Sequence, residues 1–243
     1  MIFLLLLACT RGDDGTEDTR IVDTQPDFIT YPSQERVLFY DGHGGEPGDS
    51  VGNGGSDLAE AFISSEYGWQ AERRDNLGEP EKFRAIVLMD PGVKQPFAFQ
   101  DADVEKLQGA MKSGTRIAIL VSAQNCAGAT INPLLEKLGV AMRLNGEGAL
   151  GTVISESMPG LQMTEGVSTV YLNVPCTVVP NGGETLLIDD RDVFAVSERP
   201  GWAGDVVLIG DYGWTDDTDQ LDLGSNRSFL KRLVEVDPAL TAQ

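Results

Sequence analysis

A chain of 243 residues with a single histidine has few routes to acid–base or metal chemistry. That histidine lies in Asp41-Gly42-His43-Gly44-Gly45-Glu46-Pro47-Gly48. A catalytic zinc site takes three protein ligands, with imidazole well represented. One imidazole completes such a set only if Asp and Glu stand in for the others. Nucleophilic chemistry meets the same shortage. Cys126 follows an apolar run, roughly where a strand-to-helix elbow belongs, but Gln124-Asn125 and Ala127-Gly128 flank it and His43 precedes it. Without a neighbouring base a thiol stays mostly protonated at neutral pH. No Gly-x-Ser-x-Gly elbow occurs either. No catalytic residue is therefore assigned, and no cofactor is expected, although a divalent cation would suit the acidic side chains.

Four short apolar runs read as strands buried on both faces: Val37–Tyr40, Ala85–Met89, Ile117–Val121 and Val206–Ile209. Trp69–Arg73 reads as a weaker edge strand. Helical spacing links Leu58, Ala61, Phe62 and Ser65, and links Val104, Leu107 and Met111 between an Asp101 cap and a Gly114 stop. Asn132-Pro133 opens a third helix that Gly139 closes, and Ser225 or Asn226 caps a last one through Phe229, Leu230 and Leu233. This alternation predicts an α/β fold: a three-layer, doubly wound, mostly parallel sheet over residues 34–243. Residues 146–204, rich in Val, Thr, Gly and Pro, form a β-rich insertion before the last core strand. Ligands of such sheets bind beyond the carboxyl ends of the strands. The polar residues there are Asp41, His43, Asp90, Ser122, Asn125 and Asp211, a candidate site for a cation or a polar ligand such as a sugar. Taken singly, each is equally a turn or cap residue. The acidic loop Asp216–Asp222 has the oxygens of a calcium loop without the spacing.

Several segments resemble known families. Met1 to Cys9 ends in Leu6-Leu7-Ala8-Cys9, which resembles a bacterial lipobox, although no positive charge precedes its apolar core. The resemblance implies a signal peptide over residues 1–8, lipid on Cys9, and a cell-envelope location facing the periplasm or on the outer membrane. Residues 9–33 read as an acidic tether. The order Asp41-Gly42-His43-Gly44, Gln100-Asp101-Ala102-Asp103-Val104, Ser113-Gly114-Thr115-Arg116, Asn132-Pro133-Leu134-Leu135, Met163-Thr164-Glu165-Gly166, Ile209-Gly210-Asp211 and Asn226-Arg227-Ser228-Phe229 resembles the class I glutamine-amidotransferase-like fold. That family's Cys-His-Glu triad is absent here, since no histidine follows Cys126. The His43-Gly44-Gly45 segment is similar to one in zinc-dependent cell-wall amidases. It implies the alternative function, a metal-assisted envelope hydrolase using His43 and the strand-end carboxylates.

Composition narrows the partners. Eighteen basic residues against 38 acidic ones give a net charge of −20, which disfavours any DNA, RNA or anionic-lipid partner. The expected partners are the membrane, through lipid on Cys9, and an envelope protein, glycan or ion. Cys126 and Cys176 form either a disulfide or two buried thiols, and their spacing does not decide between these. The leading expectation is a lipid-anchored binding or scaffold domain without catalysis.

Overall fold

The computed structural model describes residues 33–44, 57–93, 99–215 and 218–236. The signal peptide, Cys9 and almost all of the tether lie outside these residues, as do Asp216 and Asp217 of the acidic loop. Among the described residues no helix is long and apolar enough to cross a membrane.

The four apolar runs become β1 (Ser33–Tyr40), β3 (Phe83–Met89), β4 (Arg116–Leu120) and β11 (Val206–Ile209), and the edge run becomes β2 (Gln70–Arg74). They pair in parallel in the order β2-β1-β3-β4-β11. Alternate residues serve opposite faces, as a two-residue period requires. Leu38, Ile86, Ile119 and Leu208 join one apolar cluster, and Phe39, Val87, Leu120 and Ile209 join the other. Helices α2 (Asp101–Lys112) and α3 (Ile131–Lys137) contribute to the first cluster. Helices α1 (Asp57–Tyr67) and α5 (Asn226–Val234) contribute to the second, where Trp214 is wholly buried. The short α4 (Thr218–Leu221) precedes α5.

The insertion holds more strand than the sequence indicates. It contains β5 (Arg143–Gly148), β6 (Thr152–Ser157), β7 (Thr169–Asn173), β8 (Cys176–Val179), β9 (Glu184–Asp189) and β10 (Asp192–Glu198). Four of these extend the main sheet from β11 in the antiparallel order β10-β9-β6-β7, while β5 and β8 pair apart. The expected mostly parallel sheet is thus a mixed one, parallel on one side of β11 and antiparallel on the other. The insertion also starts earlier than expected, at Arg143. Exposure on most of β5 and half of β6 hid them, because neither carries an apolar run.

Two helix starts differ from the sequence reading. Gln100, not Asp101, is the N-cap of α2, because the Asp101 carboxylate faces Lys137 Nζ at 2.7 Å. Thr130 precedes α3, and Asn132 lies inside it. The Asn132 amide instead bonds both main-chain groups of Leu144, donating at 3.0 Å and accepting at 2.9 Å, which fixes β5 against α3.

At the amino ends of the parallel strands, Arg116 and Asp205 form a buried bidentate pair at 2.8 and 3.0 Å. Arg116 Nη1 also donates to the carbonyls of Arg232 and Leu233 at 2.9 and 3.2 Å, at the C-terminal end of α5. A fork-shaped cation suits both tasks: it matches the carboxylate and takes up carbonyls the helix leaves unpaired.

Candidate functional site

The six strand-end residues do not form one constellation. They separate into three groups at the carboxyl end of the sheet.

The first group surrounds His43. Its Nδ1 bonds the Tyr40 hydroxyl, its Nε2 lies 3.3 Å from Asp103, and its ring stacks on Phe99 with centroids 3.9 Å apart. Burial lowers the imidazole pKa, and Asp103 opposes that shift. Burial raises the Tyr40 pKa, reinforced by Asp103, Asp41 and Asp75, so the phenol stays protonated and donates to Nδ1. A neutral ring protonated on Nε2 then donates to Asp103. Both nitrogens are spent on protein partners. Asp41 follows β1 and its N–H donates to the Arg74 carbonyl at 3.2 Å. Among the described residues no three of His, Cys, Asp and Glu lie close enough to hold a metal ion.

The second group is structural. Asp90 is wholly buried, and Asn125 Nδ2 donates to its Oδ1 at 3.2 Å and to the Pro91 carbonyl at 2.9 Å. This contact joins the loop after β3 to the turn after β4. Gly92, at φ +89°, completes the same loop, and its N–H donates to the His43 carbonyl at 2.9 Å. A Cβ there would come within 2.2 Å of Thr130 Oγ1, so only glycine fits.

The third group forms a cleft of about 300 Å³. Ser122 and Gln124 line it from the turn after β4, Asp211 and Tyr212 from the end of β11, Asn173 from the end of β7, and Gln220 from α4. Asp211 is buried and organises this corner. Its carboxylate accepts the N–H groups of Asn173 at 2.5 Å and Gly213 at 2.8 Å, and its carbonyl accepts Trp214 Nε1 at 3.0 Å. Two buried polar atoms of the cleft's lining residues, Ser122 Oγ and Gln220 Oε1, have no hydrogen-bonding partner. Val174, also in the lining, holds φ at +54°, a costly conformation for a β-branched residue.

Cys126 and Cys176 are joined in a disulfide with Cα atoms 5.2 Å apart. The bond links the turn after β4 to the start of β8, and so ties two walls of the cleft together. Gly210 seals the junction. Its carbonyl accepts the Cys176 N–H at 2.7 Å, and a Cβ there would lie 1.9 Å from the Cys176 carbonyl oxygen.

Sequence reasoning placed Ser122 and Asp211 near one another but missed Asn173, Gln220, Tyr40 and Asp103 as their neighbours or as neighbours of His43. Tyr40 closes an apolar run and Asp103 sits in the first turn of a helix, where an acid has its own reason to be. Asn173 ends β7, whose alternation over Val167–Leu172 marks a strand but not which side chain closes a cleft, and Gln220 comes from a four-residue helix too short for a periodic signal. For the acidic loop, Asp222 pairs with Arg227.

No known protein family matches this sequence, and no curated protein matches it. Solved structures do match the fold. The N-terminal domain of mmIFT52 superposes with a TM-score of 0.59 at 15% identity, covering 85% of this chain and 98% of its own. The cytoplasmic protein STM3548 from Salmonella typhimurium gives 0.59 at 12% identity, covering 82% and 97%. The exo-beta-1,4-mannosidase Op5Man5 from Opitutaceae bacterium strain TAV5 gives 0.50 at 13% identity, with 86% of this chain and 37% of that one. At these identities the likeness concerns the fold alone: an α/β domain with a large mixed central sheet flanked by helices.

Proposed function

We propose that this chain is a lipid-anchored cell-envelope protein whose doubly wound, three-layer, amidotransferase-like domain binds a ligand or partner without catalysis. One observation carries the reading: the cysteine standing where the resembled family keeps its nucleophile is bonded to Cys176. A thiol held in a disulfide is no nucleophile, and structural disulfides belong to oxidising compartments such as the periplasm and cell surface. The lipobox-like Leu6-Leu7-Ala8-Cys9 supports the same location from the other end of the chain. The alternative, a metal-assisted hydrolase at His43, finds less support, because Tyr40 and Asp103 already occupy both imidazole nitrogens.

The test is expression of the full chain in a bacterial host fed a clickable palmitate analogue. Label on the wild type, none on Cys9→Ala, and Cys126 and Cys176 resistant to alkylation until reductant is added are the expected results. An unlabelled protein with two reactive thiols, or glutamine hydrolysis that disappears in Cys126→Ala, would overturn the reading.

A further inference from the structure

We propose that the cleft bounded by Ser122, Asn173, Asp211 and Gln220 is a binding site for a neutral, hydroxyl-rich ligand, a sugar residue. The inference deepens the non-catalytic binding role and rests on it.

The first observation is an unmet need. Burying a polar atom without a partner is costly, and buried polar groups are ordinarily paired. Ser122 is only 8% exposed, yet its Oγ has no hydrogen-bonding partner, and neither has the buried Oε1 of Gln220, another residue of the lining. A hydroxyl both donates to a carbonyl oxygen and accepts from or donates to a serine, so a ligand hydroxyl meets either need once the side chain turns from its buried position toward the cleft.

The second observation is the lining. Among the described residues the cleft is lined by no Lys, Arg or His, and the chain carries a net charge of −20, so phosphate and carboxylate ligands are repelled. Among the described lining residues the one carboxylate, Asp211, already accepts two main-chain N–H groups, which suits it to hold the walls in place and ill suits it to coordinate a cation. Gln124 and Asn173 add exposed amides, each carrying donors and an acceptor, and the half-buried Tyr212 adds an aromatic surface for the apolar face of a sugar ring. The volume, about 300 Å³, lies at the small end of ligand sites.

The third observation is preorganisation. The disulfide and the Gly210–Cys176 contact fix the walls, and Val174 is held at a strained φ within the lining. Local strain concentrates at ligand sites, where the surrounding structure over-determines it.

Saturation-transfer NMR on the purified full chain tests this, with N-acetylglucosamine, galactose and mannose as probes and calcium, inorganic phosphate and an N-acetylated dipeptide amide as competitors. We expect saturable millimolar binding of at least one sugar, weakened about tenfold in Ser122→Ala, with the urea midpoint of that variant no lower than wild type because its hydroxyl has no internal partner to lose. Gln220→Leu provides a second variant with the same expected loss of binding. Failure of all three sugars to bind, sugar binding untouched by either substitution, or occupation by calcium, phosphate or the peptide amide in place of sugar would each overturn the proposal. Lipid labelling at Cys9 is read separately. A labelled chain that binds no sugar sinks this inference alone, and a sugar-binding chain without lipid sinks only the envelope location.

Discussion

The two ends of the parallel strands solve opposite problems. At the amino end, all three nitrogens of the buried Arg116 guanidinium are engaged by Asp205 and the carbonyls closing α5. Ser197 adds its hydroxyl to Asp205 at 3.3 Å. At the carboxyl end, a serine and a glutamine carry orphaned atoms, and His43, Asp90 and Val174 all hold positive φ. Cavity size does not separate the ends, since the amino-end cleft over Arg116 and Asp205 is the larger at about 460 Å³. What separates the two clefts is whether the polar groups that floor them are already satisfied. A cleft floored by a completed ion pair asks for nothing, whereas a smaller one with unmet donors and acceptors does. A completed ion pair anchors one end of this sheet, and the cleft proposed to bind a ligand lies at the other.

The sharpest way to break this comparison is at the satisfied end. Asp205→Ala leaves Arg116 charged and buried, 3% exposed, with no carboxylate. Removing one partner of such a pair costs about 3–5 kcal/mol. Urea unfolding should show that loss as a lower midpoint at unchanged slope, while sugar binding at the other end is retained. A change below about 1 kcal/mol would mean that the pair behaves like an exposed one and that the amino end is not the anchor argued here.

A substitution at the strained end should move stability the other way. Val174→Gly releases a β-branched residue from φ +54°. The left-handed conformation costs an L-residue about 1–2 kcal/mol, and the greater unfolded-state freedom of glycine returns part of that, so a net gain of about 0.5–1 kcal/mol is expected. Sugar binding should weaken in the same variant, because a relaxed wall must be ordered by the ligand. A loss of stability would show that packing of the Val174 side chain outweighs its backbone strain.

How much of this was legible in the sequence follows the same division. The apolar runs Val37–Tyr40 and Val206–Ile209 announce central strands because both of their faces are buried, and burial is what composition records best. The strand ends were legible as positions: Ser122 and Asp211 do face one cleft. Their relation to His43 was not. A single strand edge brings residues to one side of the fold but does not fix which side chains meet, and Tyr40 and Asp103 take His43 away from Asp211. The insertion was legible as β-rich but not as an extension of the sheet, because strands such as Thr152–Ser157 bury Ser155 while exposing Ile154 and so lack the pattern that marks a core. Asn173, at the end of an alternating strand, and Gln220, in a four-residue helix, complete the cleft from positions that no pattern ties to Asp211.

The smallest effect concerns the chain's single histidine, at the strained end. Burial lowers the His43 pKa from its ordinary value of 6.5, against the opposing pull of Asp103. The unfolded chain therefore takes up a proton near its ordinary pKa while the folded chain still resists it. The stabilisation is fully present above about pH 6.5, and it is lost as pH falls from there to the folded pKa. Tyr40 stays protonated across this window, since burial and the nearby Asp103, Asp41 and Asp75 raise its pKa. Glu72, whose pKa is held low by Arg36 and Arg74 despite its burial, titrates only at more acid pH. Because the chain has one histidine, a urea midpoint that declines between about pH 7 and pH 5.5 reports His43. His43→Asn keeps a residue type that tolerates the φ of +56° and removes the titration, so its midpoint should stay flat over the same range. A wild-type midpoint that rises on acidification would mean that the ion pair with Asp103 outweighs burial. The carboxyl end would then hold a completed charge pair of its own, like the Arg116–Asp205 pair opposite, and the contrast between the two ends would narrow to the cleft around Ser122.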